Sequence, residues 1–315
     1  PKESNDFDDA VEDLVEETKE IVEDVIDDTH KSKVTRDRLI VIGVLAFFTI
    51  FFWWAFEQAG GSMTIFAADY TDRVLVGDGA LTFKIFNTLL TIVPMVIITW
   101  VLAMLFKQTY SKYALSNILL GTSFAIIWAI VLWMLYREFT TESAEVPASW
   151  FGILNSFYII AFAPVFSKIW QSRLNPSGPV KFAIGLILLG LGFGILAYGS
   201  MGIPLGAKTA SVSMVFLILA YLFHTLGELC VSPVGLSYVS KLAPVKLVGV
   251  MFGVWFVANF IANSAAGITG SYIDPIVEEY GMSVFFLIFT LIPVSAGVLM
   301  LILNKTLLKM MHGIR

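Results

Sequence analysis

The sequence predicts an all-α integral membrane protein with eight transmembrane helices, and three observations lead there. Hydrophobic residues make up 57% of the 315-residue chain and charged residues only 14%, whereas a soluble domain carries about 25% charged residues. The apolar residues are gathered into eight runs, each close to the roughly 20 residues a helix needs to cross the hydrocarbon core. The short segments between the runs alternate between basic and acidic, the asymmetry that membrane insertion imposes. Mean hydropathy is +0.81.

Residues 1–37 come first, acidic and with Val11, Leu14, Val15, Ile21, Val22, Val25 and Ile26 at roughly helical spacing. They read as a cytoplasmic linker or an amphipathic, solvated helix. Lys31, Lys33, Arg36 and Arg38 then form a basic collar ahead of a first span at 39–59. The remaining spans fall at 83–106, 114–136, 149–170, 180–200, 211–240, 247–270 and 283–307, and 309–315 is a short tail. With the N-terminus inside, fourteen Lys and Arg from Lys31 onward lie in inner segments, and only Arg73, Lys84, Arg137 and Lys208 lie outside. Both chain ends are therefore expected on the cytoplasmic side.

Composition also removes several function classes. Basic residues are scattered over short loops, so no nucleic-acid surface is expected. The lone Cys230 rules out an intrachain disulfide and a cysteine-based zinc cluster. His224 and Glu228, four apart on one helix face, offer only two ligands, so no metal is expected. The string Gly190-Leu191-Gly192-Phe193-Gly194 lies inside an apolar helix with no strand before it, which makes it a packing surface rather than a dinucleotide loop. No Ser-His-Asp set or phosphate-binding loop stands at usable spacing, so the chain is not expected to be an enzyme.

Polar groups inside the spans carry the functional reading, because hydrocarbon penalises them by several kcal/mol. Glu228 sits near the middle of the sixth span, with Ser232 on nearly the same face and Pro233 just beyond. Pro233 removes a backbone donor and permits a kink there. Glu57 and Gln58 end the first span beside Gly60-Gly61, at a depth that depends on how far the helix runs toward Asp69. Asn155 lies in the fourth span, and Trp255, Asn259 and Asn263 in the seventh. Gly249 and Gly253, followed by Ala258, Ala262 and Ala266, form a small-residue ridge expected to pack on a neighbour. Each polar residue has a structural alternative. Glu228 could be held by one buried hydrogen bond, the asparagines could link helices, and Trp255 could be core. Two carboxylates on different helices facing one cavity, however, suit proton-coupled transport, since protonation changes which partner each can hold.

The segment G-E-L-C-V-S-P-V-G-L-S-Y-V-S-K-L-A-P (227–244), followed by G-V-M-F-G-V-W-F-V-A-N-F-I-A-N (249–263), resembles the tenth and eleventh core helices of the proton-dependent oligopeptide transporters. F-W-W-A-F-E-Q-A-G-G-S (52–62) resembles their seventh helix, and W-F-G-I-L-N-S-F-Y-I-I-A-F-A-P-V-F (150–166) their eighth. The resemblance covers about residues 38–308 and implies the C-terminal six-helix bundle of the major facilitator superfamily. The spans at 83–106 and 114–136 depart from that pattern and read as an inserted helical hairpin, 83–136. The E-x-x-E-R type motif of the family's N-terminal half does not occur, so the chain is expected to be one half of a longer transporter.

The resemblance also implies roles. Glu228 would hold the peptide amino terminus, or pair with a lysine of the missing half, and Asn155 would bond the same end of the peptide. Trp255 would line a side-chain pocket, with Ser232 on the same surface. Glu57 and Glu228 would couple protons, the only cofactor-like species implied. Pro233, Gly249 and Gly253 would let two helices bend at the inner gate. The expected partners are di- and tripeptides, membrane lipids and the N-terminal half, in a bacterial cytoplasmic membrane. A carrier of another small solute or drug, or a non-transporting scaffold or receptor on the same fold, are the alternatives.

Overall fold

The computed structural model describes residues 32–314. Most of the acidic segment predicted as a linker, residues 1–31, lies outside them. Eight helices among the described residues are long and apolar enough to cross a membrane, one for each predicted run. They are α1 (Ser32–Tyr70), α2 (Gly77–Thr109), α3 (Ala114–Thr140), α4 (Phe151–Gln171), α5 (Gly178–Gly199), α6 (Met214–Leu242), α7 (Val248–Gly270) and α9 (Met282–Met310). A short helix, α8 (Ile273–Tyr280), joins α7 to α9 and anchors itself by the buried Ile273 and Val277.

The chain divides into two compact units, one of residues up to Thr71 together with Phe151 onward, the other Asp72–Trp150. The second unit is the α2–α3 hairpin. Its base is closed by a two-residue antiparallel pairing, Val74 opposite Glu145 and Leu75 opposite Ala144. Polar side chains near that end are neutralised locally: Arg73 meets Glu145 at 2.8 Å, Lys84 donates to the Thr141 carbonyl, and Asn87 donates to both Glu138 oxygens. Along the rest of α2 and α3 large apolar side chains such as Leu89, Trp100, Ile126 and Trp133 are exposed, as expected of helices solvated by hydrocarbon.

In the first unit α5 is the central element. Its glycines are contact points where no side chain fits. A Cβ on Gly185 would stand 2.5 Å from Val231 and 2.8 Å from the Gly227 carbonyl of α6. One on Gly190 would stand 2.8 Å from the Thr290 carbonyl of α9. The glycine string is thus a two-sided packing surface that lets α6 and α9 approach closely. An aromatic core fills the space between α1, α5 and α9, with Trp54 on Phe289 at 4.7 Å and Phe193 on Phe289 at 5.3 Å between centroids.

Two expectations are corrected. The first span does not stop at Ala59, because the candidate span runs over Ser32–Tyr70. It passes through a 3₁₀ segment Glu57–Gly60 and a π-helical turn Phe66–Tyr70. A hydropathy window ends at Glu57-Gln58 since both are polar, but the chain resumes its helical path at Ser62 after a turn at Gly61. The small-residue ridge on α7 is likewise split. Ala258, Ala262 and Ala266 are buried, while a Cβ on Gly249 or Gly253 would meet nothing. The step from Gly253 to Ala258 is five residues, which at about 100° per residue turns the ridge by roughly 140°. The glycines therefore lie on another face.

Candidate functional site

The break in α1 positions the first carboxylate. Gly60-Gly61 interrupts the α-helix and leaves carbonyls without intrahelical donors. The Ala59 carbonyl is instead satisfied by Thr64 Oγ1 at 3.0 Å and by the Tyr221 hydroxyl of α6 at 3.3 Å, the kind of repair a broken membrane helix requires. Glu57 consequently lies well inside the span Ser32–Tyr70, with an exposed side chain. Its neighbour Gln58 points the other way and is buried. Gln58 Nε2 donates to the Ala266 carbonyl at 3.1 Å and to Thr269 Oγ1 at 3.3 Å, while its Oε1 accepts from Ser62 at 2.7 Å. Trp54 Nε1 also donates to Thr269, at 3.0 Å. This clasp ties α1 to α7 and fixes the direction of Glu57.

Glu228 occupies the middle of α6 and is half-buried. Asn155 Nδ2 of α4 donates to its Oε2 at 2.9 Å and also to Thr225 Oγ1 at 3.1 Å. Thr225 in turn donates to the Tyr221 carbonyl at 2.8 Å. Asn155 and Glu228, singled out separately in the sequence, thus meet across two helices. Thr225 and Tyr221 were not singled out. Their spacing of four and three residues from one another to Glu228 puts all three on one helix face, and that was the available signal.

Beside this network lies a cleft of about 360 Å³, lined by Glu57, Ser232, Trp255, Asn259 and Asn263 among others. It brings together three predicted residues, Glu57, Ser232 and Trp255. Asn155 and Glu228 do not line it, but Glu57 and Glu228 lie within electrostatic reach of each other. Ser232 Oγ is buried without a hydrogen-bond partner. The α7 asparagines do not link helices: Asn259 donates to the Trp255 carbonyl and Asn263 to the Asn259 carbonyl, each on its own helix. Trp255 combines two of its predicted readings. Its six-membered ring is wedged where a Cβ on Gly235 would stand 2.3 Å away, and the residue still lines the cleft.

Of the predicted bending residues, Pro233 is exposed and α6 runs unbroken through it. Gly249 and Gly253 stand in open space on α7. No group of three or more metal-ligating side chains occurs among the described residues.

Six of the candidate spans form an apolar helical bundle that holds the carboxylate network and the polar cleft. The chain belongs to the POT family, whose model matches residues 120–284. It is 30% identical over 246 residues to the peptide transporter YePEPT of Yersinia enterocolitica, covering 77% of this chain and 35% of that protein. A di-/tripeptide transporter of Lactococcus lactis subsp. cremoris is 34% identical over 173 residues, 54% of this chain and 33% of that one. The chain thus spans about a third of the length of these curated relatives. A crystal structure of a POT family transporter in complex with 5-aminolevulinic acid superposes with a TM-score of 0.59 at 21% identity, over 87% of this chain and 42% of that one. That last likeness is one of fold.

Proposed function

We propose that this chain is the C-terminal half of a proton-coupled symporter that carries di- and tripeptides into the cytoplasm by alternating access. The observation that carries the reading is the Glu228 carboxylate, held at mid-membrane by Asn155 of another helix beside a cleft that also receives Glu57. A carboxylate is unstable in hydrocarbon unless paired or protonated, so its partner must change as a substrate ammonium arrives or a proton binds. In this reading Glu228 receives the peptide amino terminus and Asn155 steers it. Glu57 shares the proton traffic. Trp255 and Ser232 form the wall against which a side chain lies, and the unpartnered Ser232 hydroxyl supplies a polar contact. Pro233, Gly249 and Gly253 give the inner ends of α6 and α7 freedom to bend, and the exposed glycine face of α7 is free to approach the other half. Rocking of two halves about a midplane site supplies the access change. The chain works as a carrier and not as an enzyme. It sits in a bacterial cytoplasmic membrane with both described ends on the cytoplasmic side, as the positive charge in its inner segments favours.

The deciding experiment is dipeptide-driven proton uptake in proteoliposomes, with the N-terminal half supplied and wild type compared with Glu228→Gln. Lumenal acidification by dipeptide in the wild type, lost in the variant, supports symport. Peptide equilibration without proton movement in the wild type refutes coupling, and a folded complex that moves neither refutes transport altogether. Competition by free dipeptides separates a peptide site from one for another amino-bearing solute.

A further inference from the structure

A second cavity, of about 580 Å³, opens where α4 and α9 end, α5 begins and α6 approaches its last turn. It is the membrane face on which both described chain ends lie, and it is remote in composition from the carboxylate site. Lys181 and Lys241 both line it, and no acidic residue does. Neither lysine forms an ion pair among the described residues. Lys181 Nζ rests 4.5 Å above the Trp170 ring, and Lys241 Nζ 5.8 Å from the centroid of Tyr238. Such contacts offset part of the cost of an ammonium at a partly desolvated site, but they leave its donors unused.

Among the other lining residues, Asn175 offers an amide with both donor and acceptor, and Ser177 already donates to Asn304 at 2.8 Å. Trp170 Nε1 is buried with no hydrogen-bond partner, and Ser237 offers a hydroxyl to the same cavity. Isolated interfacial lysines ordinarily extend their ammonium groups to water. Here two of them, from different helices, line one concavity whose wall also includes Trp170. The charge calls for an anion, and the donors call for several acceptor oxygens on it. Lysine as a compact point charge suits a phosphate, and basic pockets between helices at this depth suit lipid headgroups. Pro233, Val234 and Leu308 make part of the wall apolar, which suits the glycerol and first methylenes of a lipid.

We propose that Lys181, Lys241 and Trp170 form a binding site for a phosphate oxyanion, presented as the phosphodiester headgroup of an anionic phospholipid. The test is native mass spectrometry of the protein taken from nanodiscs of phosphatidylcholine with and without phosphatidylglycerol. The wild type should retain one phosphatidylglycerol in preference to phosphatidylcholine. Lys181→Gln and Lys241→Gln should each weaken retention about fivefold and the double variant about thirtyfold, the scale of one lysine at an anionic surface. Lys246→Gln, which makes the same charge change outside the cavity, should leave retention unchanged. Trp170→Phe keeps an aromatic ring beside Lys181 but removes the N–H, and should also weaken it. Lys241 is exposed, so its substitution spares the packing and decides the matter even if Lys181→Gln unfolds. Inorganic phosphate added to phosphatidylcholine discs separates the two sources. If it binds with the same dependence on both lysines while phosphatidylglycerol is not retained, the site is one for a free oxyanion. Equal retention of both lipids with no phosphate binding, or a Lys241→Gln variant indistinguishable from Lys246→Gln, overturns the proposal.

Discussion

The contact between α5 and α6 makes a sharp prediction for Gly227, the residue just before Glu228. A Cβ built on Gly227 would lie 2.7 Å from the Gly185 carbonyl oxygen and 3.4 Å from the Leu189 nitrogen. Both are backbone atoms, so no side-chain rotation relieves the clash. Reaching even a 3.0 Å contact requires the two helices to part by about 0.3 Å, and every neighbouring contact along the interface weakens with them. Overpacking of this kind costs about 1–3 kcal/mol. Gly253→Ala is the matched control, since its Cβ meets nothing within 4 Å and it too lies inside a helix. Both substitutions gain the same intrinsic helix preference of about 0.5–1 kcal/mol, so the difference between them isolates the clash. Chemical unfolding in mixed micelles, followed by circular dichroism, should place Gly227→Ala about 1–3 kcal/mol below Gly253→Ala. Equal midpoints, or a Gly227→Ala variant more stable than the wild type, would refute the close approach of α5 and α6.

The polar contacts predict smaller effects in the same assay. A double-mutant cycle of Asn155→Ala and Glu228→Gln should give a coupling of about 0.5–2 kcal/mol, and strict additivity would mean the pair does not meet in solution. Gln58→Leu removes both bonds to α7 and should cost about 1–2 kcal/mol, whereas an unchanged midpoint would count against the clasp. Glu145→Ala breaks an ion pair whose carboxylate is 63% exposed, so its cost should stay below about 1 kcal/mol and shrink further in high salt. A large, salt-independent loss there would assign Glu145 a role other than pairing with Arg73.

The spans were legible in the sequence because hydrocarbon leaves little choice of composition over a whole crossing. Legibility failed where a polar pair interrupted a run, and at Glu57-Gln58 a hydropathy window closed a span that runs on to Tyr70. The site was legible as a set of residue types and not as a set of partners. Glu228 and Asn155 stand out because each is costly in a bilayer, yet nothing in their 73-residue separation says that they meet. Gln58 was overshadowed by its charged neighbour, although consecutive helical residues face directions about 100° apart and one of the two had to point into protein. The α7 ridge misled because its period broke once, between Gly253 and Ala258.

Helix α6 is held differently along its two halves, and this bears on how a carboxylate site can be both fixed and movable. Up to Glu228 its backbone lies directly on α5, with Gly185 against Gly227 and with Gly192 leaving room for the His224 ring. These contacts involve backbone and buried rings and leave little freedom. Past Pro233 the restraint changes character. Proline donates no hydrogen bond to the carbonyl of Leu229, and the close contacts there are made by rings: the Trp255 ring of α7 sits against Gly235, and the Tyr238 ring of α6 itself sits against Gly178 of α5. A ring on a neighbouring helix can move with that helix, whereas a glycine-to-glycine backbone contact cannot slide without opening. The Asn155–Glu228 bond sits at the end of the rigid half, and the cleft with Ser232 and Trp255 begins at the start of the other. The carboxylate network and the cleft therefore meet where α6 passes from one kind of restraint to the other.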